Sequence, residues 1–280
     1  MRSAKTAGLV IGLIIGLIVG FSAHPTALKA ASQFQVQGEL SFSGEKVELD
    51  RPEVFESLDQ ELLLLSEAKS RVWLTLRRSE RYLPIIEAAL RDKKIPQDFK
   101  FVPLAVTNLA PDYRSGQRRG LWRFTESEAL ALGLTINKQV DERLDPTASS
   151  AAAAARLSSL KKTYGAWTMA LAAFINESDV IEAQRIGEST DYYSLYFSET
   201  VEKAVSLVLA GKILYSNPED FGYNRSKGWP ILAFSRKKLD ADQSMTSLAK
   251  EYSLDIKTFK DMNLHILGDT APSGSTINTP

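Results

Sequence analysis

Hydrophobic residues recur at helical spacing along most of this chain. Between residues 55 and 78 the side chains of Phe55, Leu58, Leu62, Leu65, Val72 and Leu76 fall on one stripe, the pattern of a helix that buries one face. Asp50 with Pro52 after it supplies a start signal, a capping side chain followed by proline in the first turn. Further helices are predicted over 82–91, 99–108, 125–132, 147–164, 167–174 and 199–215, with breaks at 93–96, 111–120, 133–146 and Gly165. The alanine- and serine-rich run 148–155 reads as a closely packed helix, because small side chains let neighbours approach and alanine has the best helix propensity. Polar and apolar residues alternate between 34 and 49, which predicts short strands or an extended lead-in. After a linker at 224–230 the texture changes: 231–234 is strand-like, and 245–252 and 256–262 read as short helices. The pattern is that of a mainly α protein with little sheet.

Composition narrows the chemistry. The chain has 280 residues, with 34 basic and 34 acidic side chains. That length suits one large domain, or one domain with a small module. The charge balance gives no case for a nucleic-acid partner, which calls for a basic surplus. The basic runs at 114–119 and 235–238 read as solvated surface. There is no cysteine, so disulfides, thiolate zinc sites, a cysteine nucleophile and a lipid-anchoring cysteine are excluded. The two histidines, His24 and His265, lie near opposite ends of the chain and suit neither a Ser-His-Asp triad nor a histidine metal site. No Gly-rich phosphate loop is present. No cofactor and no metal are expected, and carboxylate chemistry is the option left.

Arg2 and Lys5 precede an apolar run over 7–21, the arrangement of a secretory signal. The run is shorter than the roughly 20 residues that span a bilayer comfortably. Ala23, Ala30 and Ala31 are candidate cleavage positions, with Phe21 and Leu28 awkward ahead of the first two. Residues 1–23 are therefore either a signal peptide or a retained membrane anchor. Gly8, Gly12, Gly16 and Gly20 recur every four residues, as in helix-pairing stripes within membranes and also as in ordinary signal cores. Either reading exports the rest of the chain, to the periplasm or cell envelope, with inner-membrane attachment where the segment is kept.

Five blocks stand in a telling order: Gly120-Leu121-Trp122 with Phe124; Asp141-Glu142-Arg143 with Asp145-Pro146; Tyr164-Gly165 and Trp167 before an alanine-rich helix; Glu199-Thr200; and Asn217-Pro218 with Phe221-Gly222. Together they resemble the membrane-bound type D lytic transglycosylases, goose-lysozyme-like SLT enzymes that cut peptidoglycan. The resemblance begins at about Gly38. It implies a tether and lead-in over 24–49, a lysozyme-like SLT domain over 50–223, the linker 224–230, and a small α+β module over 231–280. That module resembles LysM, although Asp242-Gln243-Ser244 stands where LysM carries Gly-Asp-Thr. A plain packing module is the alternative.

The same resemblance marks departures. Where the family has a catalytic Glu followed by Ser, this chain has Val106-Thr107. The Gln of the family's GLWQF block is Arg123, and the small-residue loop before it is Gly116-Gln117-Arg118-Arg119. Ala-Tyr-Asn-Ala-Gly becomes Ala173-Phe174-Ile175-Asn176-Glu177, and the tyrosine after the Glu-Thr pair becomes Lys203. Thr107, Arg118, Arg119, Trp122, Arg123, Phe174, Ile175 and Lys203 are the substrate-groove positions so implied. The altered ones are those expected to move protons or touch sugar, while the scaffold blocks persist.

In the family, one Glu protonates the leaving oxygen and then takes the proton of the sugar's own C6 hydroxyl, closing a 1,6-anhydro ring. Such general acid–base help is worth roughly 10²–10⁴-fold, and Val106 has no proton to give. No catalytic residue is intact. Glu177 and Glu126 are the candidates for a relocated acid, with Glu128 beside them; the bland reading of each is a solvated carboxylate. Glu142 reads as structural, paired with an arginine such as Arg143. Three functions follow: an inactive transglycosylase homologue that binds peptidoglycan glycan strands or acts as a scaffold or regulator of cell-wall enzymes or other envelope proteins; an active transglycosylase with a relocated carboxylate; and a protein-interaction module with a filled groove.

Overall fold

The lead-in folds into a hairpin of β1 (Ser41–Phe42) and β2 (Glu45–Lys46), turning through Ser43 and Gly44. The computed structural model describes residues 39–224, 228–229 and 235–280. The segment 1–23, the tether up to residue 38 and the strand-like stretch 231–234 lie outside the described residues. Phe42 is buried edge-on against Phe99, with ring centroids 5.1 Å apart. The hairpin is also pinned by charge: the Ser43 amide and the Lys212 ammonium both donate to Asp98 Oδ2 at 2.6 Å.

Helices follow in the predicted order, with three boundaries shifted. α1 (Pro52–Glu67) starts after Arg51, one residue later than the expected Asp50 cap, with Pro52 in its first turn. α2 (Lys69–Asp92) runs unbroken through 79–81, joining the helices predicted up to 78 and from 82, and the interruption falls instead at Ala68. A 3₁₀ turn at Gln97–Lys100 leads into α3 (Phe101–Thr107). The loop after it carries a small hairpin of β3 (Arg114–Ser115) and β4 (Arg118–Arg119). α4 (Glu126–Ala131) opens with a reciprocal cap between Thr125 and Glu128, and α5 (Pro146–Tyr164) is capped by Asp145. α6 (Trp167–Gly187) was expected to stop at 174; it continues through a kink at Asn176, where the backbone is extended. α7 (Glu199–Ser216) closes the set.

Small residues set the closest approaches. Ala152, Ala153 and Ala154 of α5 are buried, and α5 packs between α2 and α6. α3 lies on α7, where a Cβ added at Gly211 would come within 2.9 Å of the Ala105 Cβ. The N-terminus of α6 is capped from far away: Glu45 accepts from the amides of Trp167 and Thr168 at 2.5 and 2.8 Å and from the Thr168 hydroxyl at 2.5 Å. Burial pushes the Glu45 carboxyl up, but these bonds and Lys161 outweigh it and hold the group below the ordinary glutamate range.

The C-terminal part comprises β5 (Ser235–Lys238), β6 (Gln243–Ser244), α8 (Met245–Glu251), α9 (Ile256–Met262), β7 (Thr270–Ala271) and β8 (Thr276–Thr279). β5 pairs with β8 and β6 with β7, both antiparallel. Both predicted helices are present. Leu239, Met245, Leu248, Phe259 and Ile277 form its core, joined by Val140 from the loop before α5. Val140 bridges to Ile266, the Asp141 amide donates to the His265 carbonyl at 2.9 Å, and the Leu267 amide donates to the Gln139 carbonyl at 2.8 Å. Arg236 makes a two-pronged pair with Asp145 at 3.1 and 2.8 Å. The run 235–238, read as plain surface, is thus exposed strand with one arginine committed to the helical part. His265 is buried, with Nε2 2.8 Å from the Thr276 carbonyl, which fits a packing role.

Candidate active-site region

The end of α3 carries Val106, and three contacts fix its position. Thr107 is fully buried, with its hydroxyl 2.9 Å from the Pro103 carbonyl and 3.1 Å from the Leu121 carbonyl. Asn108 and Leu109 both take left-handed backbone angles, φ 53 and 52, and turn the chain sharply out of the helix. Asparagine tolerates this conformation, whereas buried Leu109 is held there by its surroundings. Two arginines of α2 then cover the exposed carbonyls. Arg71 donates to Asn108 Oδ1 at 2.6 Å and to the Ala105 carbonyl, and Arg78 donates to the Asn108 carbonyl at 3.0 Å. Cations suit a helix C-terminus, where carbonyl dipoles converge. Val106 itself is half-buried.

The loop 120–124 is locked behind this helix end. Gly120 has φ +74, and a Cβ there would come within 1.8 Å of the Arg143 carbonyl oxygen; only glycine fits. Arg143 is itself buried, paired with Asp141 through Nε and Nη2 at 2.8 Å each, and it reaches the Gln117 carbonyl at 3.2 Å. Glu142, expected to pair with an arginine, instead accepts from the Thr135 amide at 2.7 Å, because the Asp141 carboxylate already occupies the Arg143 fork. Trp122 is buried, donating from its indole to the Ser150 hydroxyl at 2.9 Å.

Residues 85–188 match the transglycosylase SLT domain. Two relatives, each named membrane-bound lytic murein transglycosylase D, come from Escherichia coli K12 and Escherichia coli O6:H1. Each is 24% identical over 237 residues, covering 82% of this chain and 52% of the relative. The chain therefore spans about half the length of the relatives it matches. The architecture is accordingly a mainly α, lysozyme-like SLT domain with a small α+β part after it.

The candidate groove residues, all but Lys203 within the stretch that matches the SLT domain, differ in their surroundings. Thr107, Trp122 and Phe174 are buried together: Phe174 meets Trp122 and Phe124 edge-on at 5.8 and 5.9 Å, and the Arg156 guanidinium lies 5.2 Å from its ring. Ile175, next in the chain, is half-buried. Arg118, Arg119 and Arg123 are half-buried around the loop. Arg118 donates to the Arg123 carbonyl at 2.9 Å and pairs with Glu128 at 3.3 Å, while Arg123, at φ 55, stacks on Tyr113. Lys203 stands apart: it is exposed on α7 and pairs with Glu199 at 2.5 Å.

The acids have distinct surroundings. Glu126 is exposed in the first turn of α4. Glu128 is occupied by the Thr125 amide, Arg118 and Arg156; burial pushes its carboxyl up, but these partners hold it below the ordinary range. Glu177 accepts from the Tyr164 hydroxyl at 3.2 Å. Burial and then the Glu177 charge push the Tyr164 phenol up to about 12. Glu128 and Glu177 both border a cavity of about 330 Å³ between α4, α5 and α6, which Val106 does not line. Sequence reasoning passed over Glu61 of α1. It is half-buried, and burial pushes its carboxyl up against the opposing pull of Lys203 and Arg71. Arg71 is the arginine that holds the end of α3. Glu61, Arg71 and Lys203 come from three helices, and no spacing along the chain signals their association.

Proposed function

We propose that this chain is a catalytically silent SLT protein of the cell envelope that holds peptidoglycan glycan strands and scaffolds or regulates cell-wall enzymes. The observation that carries the reading is the end of α3. Val106 occupies the position that the resemblance gives to the catalytic acid, on a helix end still pinned by Thr107, Arg71 and Arg78. Scaffold is kept where proton transfer is gone. Arg118 and Arg123 near the loop offer guanidinium groups that suit sugar carboxylates. Export through the segment 1–23, cleaved or retained as an anchor, places the protein beside its polymer, and no described helix is long and apolar enough to cross a membrane. The C-terminal part serves as a LysM-like glycan-binding unit or as packing. The test is digestion of purified peptidoglycan with a search for 1,6-anhydro muropeptides, alongside co-sedimentation. Binding without product is expected, and clear product would overturn the reading. Val106→Glu should then yield product where the groove accepts glycan.

One observation favours a second reading, an active enzyme with a relocated acid. Glu61 is a half-buried carboxyl that burial pushes up, against the pull of Lys203 and of Arg71, the arginine that holds the end of α3. Product made by the wild type and lost in Glu61→Gln, but retained in Glu177→Gln and Glu126→Gln, would establish it.

A further inference from the structure

A separate cavity of about 340 Å³ lies between α1, α7 and the loop 192–197, away from the residues at the end of α3. Its size is in the range of small-ligand sites. The loop wall is aromatic and ordered: Tyr192 stacks on Phe197 with centroids 4.9 Å apart and meets Tyr193 edge-on at 5.0 Å. Tyr196 stands at the mouth, 87% exposed. The helix walls supply Val54, Val205 and Leu209 and a hydroxyl pair, Ser57 to Ser206 at 2.8 Å.

The polar lining has one sign. Glu53 and Glu202 border the cavity, and among the described residues none that lines it is basic. Arg51 lies 3.9 Å from Glu53 and donates to the Tyr193 carbonyl at 2.8 Å. Glu202 takes a hydrogen bond from the Phe197 amide, and its charged neighbour is another acid, Asp179, which is itself held by the Ser198 amide and hydroxyl. Burial and the Asp179 charge push the Glu202 carboxyl up. Aromatic faces attract cations through their quadrupole, and a desolvated carboxylate adds to that pull. An anionic ligand would meet two carboxylates.

We infer that this cavity is a binding site for a small organic cation, an ammonium group on an apolar body, seated against the tyrosine wall with its charge toward Glu202. The site is independent of any transglycosylase chemistry. The test is calorimetric titration of the purified full-length chain with benzylamine, benzyl alcohol and phenylacetate. Benzylamine should bind, benzyl alcohol at least about tenfold more weakly, and phenylacetate not measurably. Glu202→Gln should reduce benzylamine to the level of the alcohol while leaving the alcohol unchanged, which also reports that the cavity is intact. Equal binding of amine and alcohol to the wild type, or no amine binding, overturns the inference whether or not the variant folds.

Discussion

Replacing Asp145 with alanine is expected to loosen the seam between the helical part and the C-terminal part. The side chain is fully buried and has four hydrogen bonds: Oδ1 accepts from the Thr147 and Ala148 amides at 2.8 and 3.3 Å and from Arg236 at 3.1 Å, and Oδ2 accepts from Arg236 at 2.8 Å. Loss of a helix cap costs about 1 kcal/mol. Removing one partner of a fully buried ion pair costs about 3–5 kcal/mol, but the Arg236 side chain is 29% exposed and can recover water, so about 2 kcal/mol is the better figure here. The sum is about 3 kcal/mol, which for a chain of this length lowers Tm by about 6–12 °C. Asp145→Asn keeps the cap and should lose about half as much. Urea unfolding of Asp145→Ala, Arg236→Met and the double variant should give a coupling of about 1.5–2 kcal/mol. A single-variant loss below about 1 kcal/mol, or additive losses, would refute the argument that this pair joins the two parts.

Gly120→Ala should cost about 3 kcal/mol or more, because the new methyl meets the Arg143 carbonyl at 1.8 Å on a left-handed backbone; thermal melting reads it directly, and a wild-type Tm would contradict the close approach. Glu45→Gln should destabilise at neutral pH. A carboxyl held below its ordinary range contributes stability above that range and loses it as pH falls through the folded value, so the gap between variant and wild type should close toward acid. A gap independent of pH would count against the role of charge. Thr107→Val should cost about 1 kcal/mol by leaving the Leu121 carbonyl without its donor, measured by urea denaturation.

The sequence was most legible where local chemistry decides. Proline and glycine marked the breaks around 93–96 and Gly165. It misled where a break has no such residue: Ala68 divides two helices at φ −78, ψ 58 without glycine or proline, while 79–81 continue as helix within α2. The far end of α6 was missed because the kink at Asn176 bends that helix without ending it. Long-range polar contacts were beyond reach in principle. Nothing local tells that Glu45 caps a helix beginning at residue 167, or that Arg71 and Arg78 hold the end of α3. Motif order pointed to Val106 as the candidate position, whereas nothing in the chain pointed to Glu61, whose surroundings only the packing of three helices creates.

The seam at Val140 and Asp145 bears on how such a protein can be cut and recombined. The stretch that matches the SLT domain stops at residue 188, yet α3 rests on α7 beyond it, and Val140 and Asp145 find their apolar and charged partners beyond residue 234. A fragment trimmed to the matched boundaries would present to solvent a bare valine and a carboxylate without its arginine partner, along with the face that α7 covers. The segment that matches the SLT domain is shorter than the set of elements packed against it. Transplanting it between proteins, by evolution or at the bench, would require carrying the C-terminal part with it.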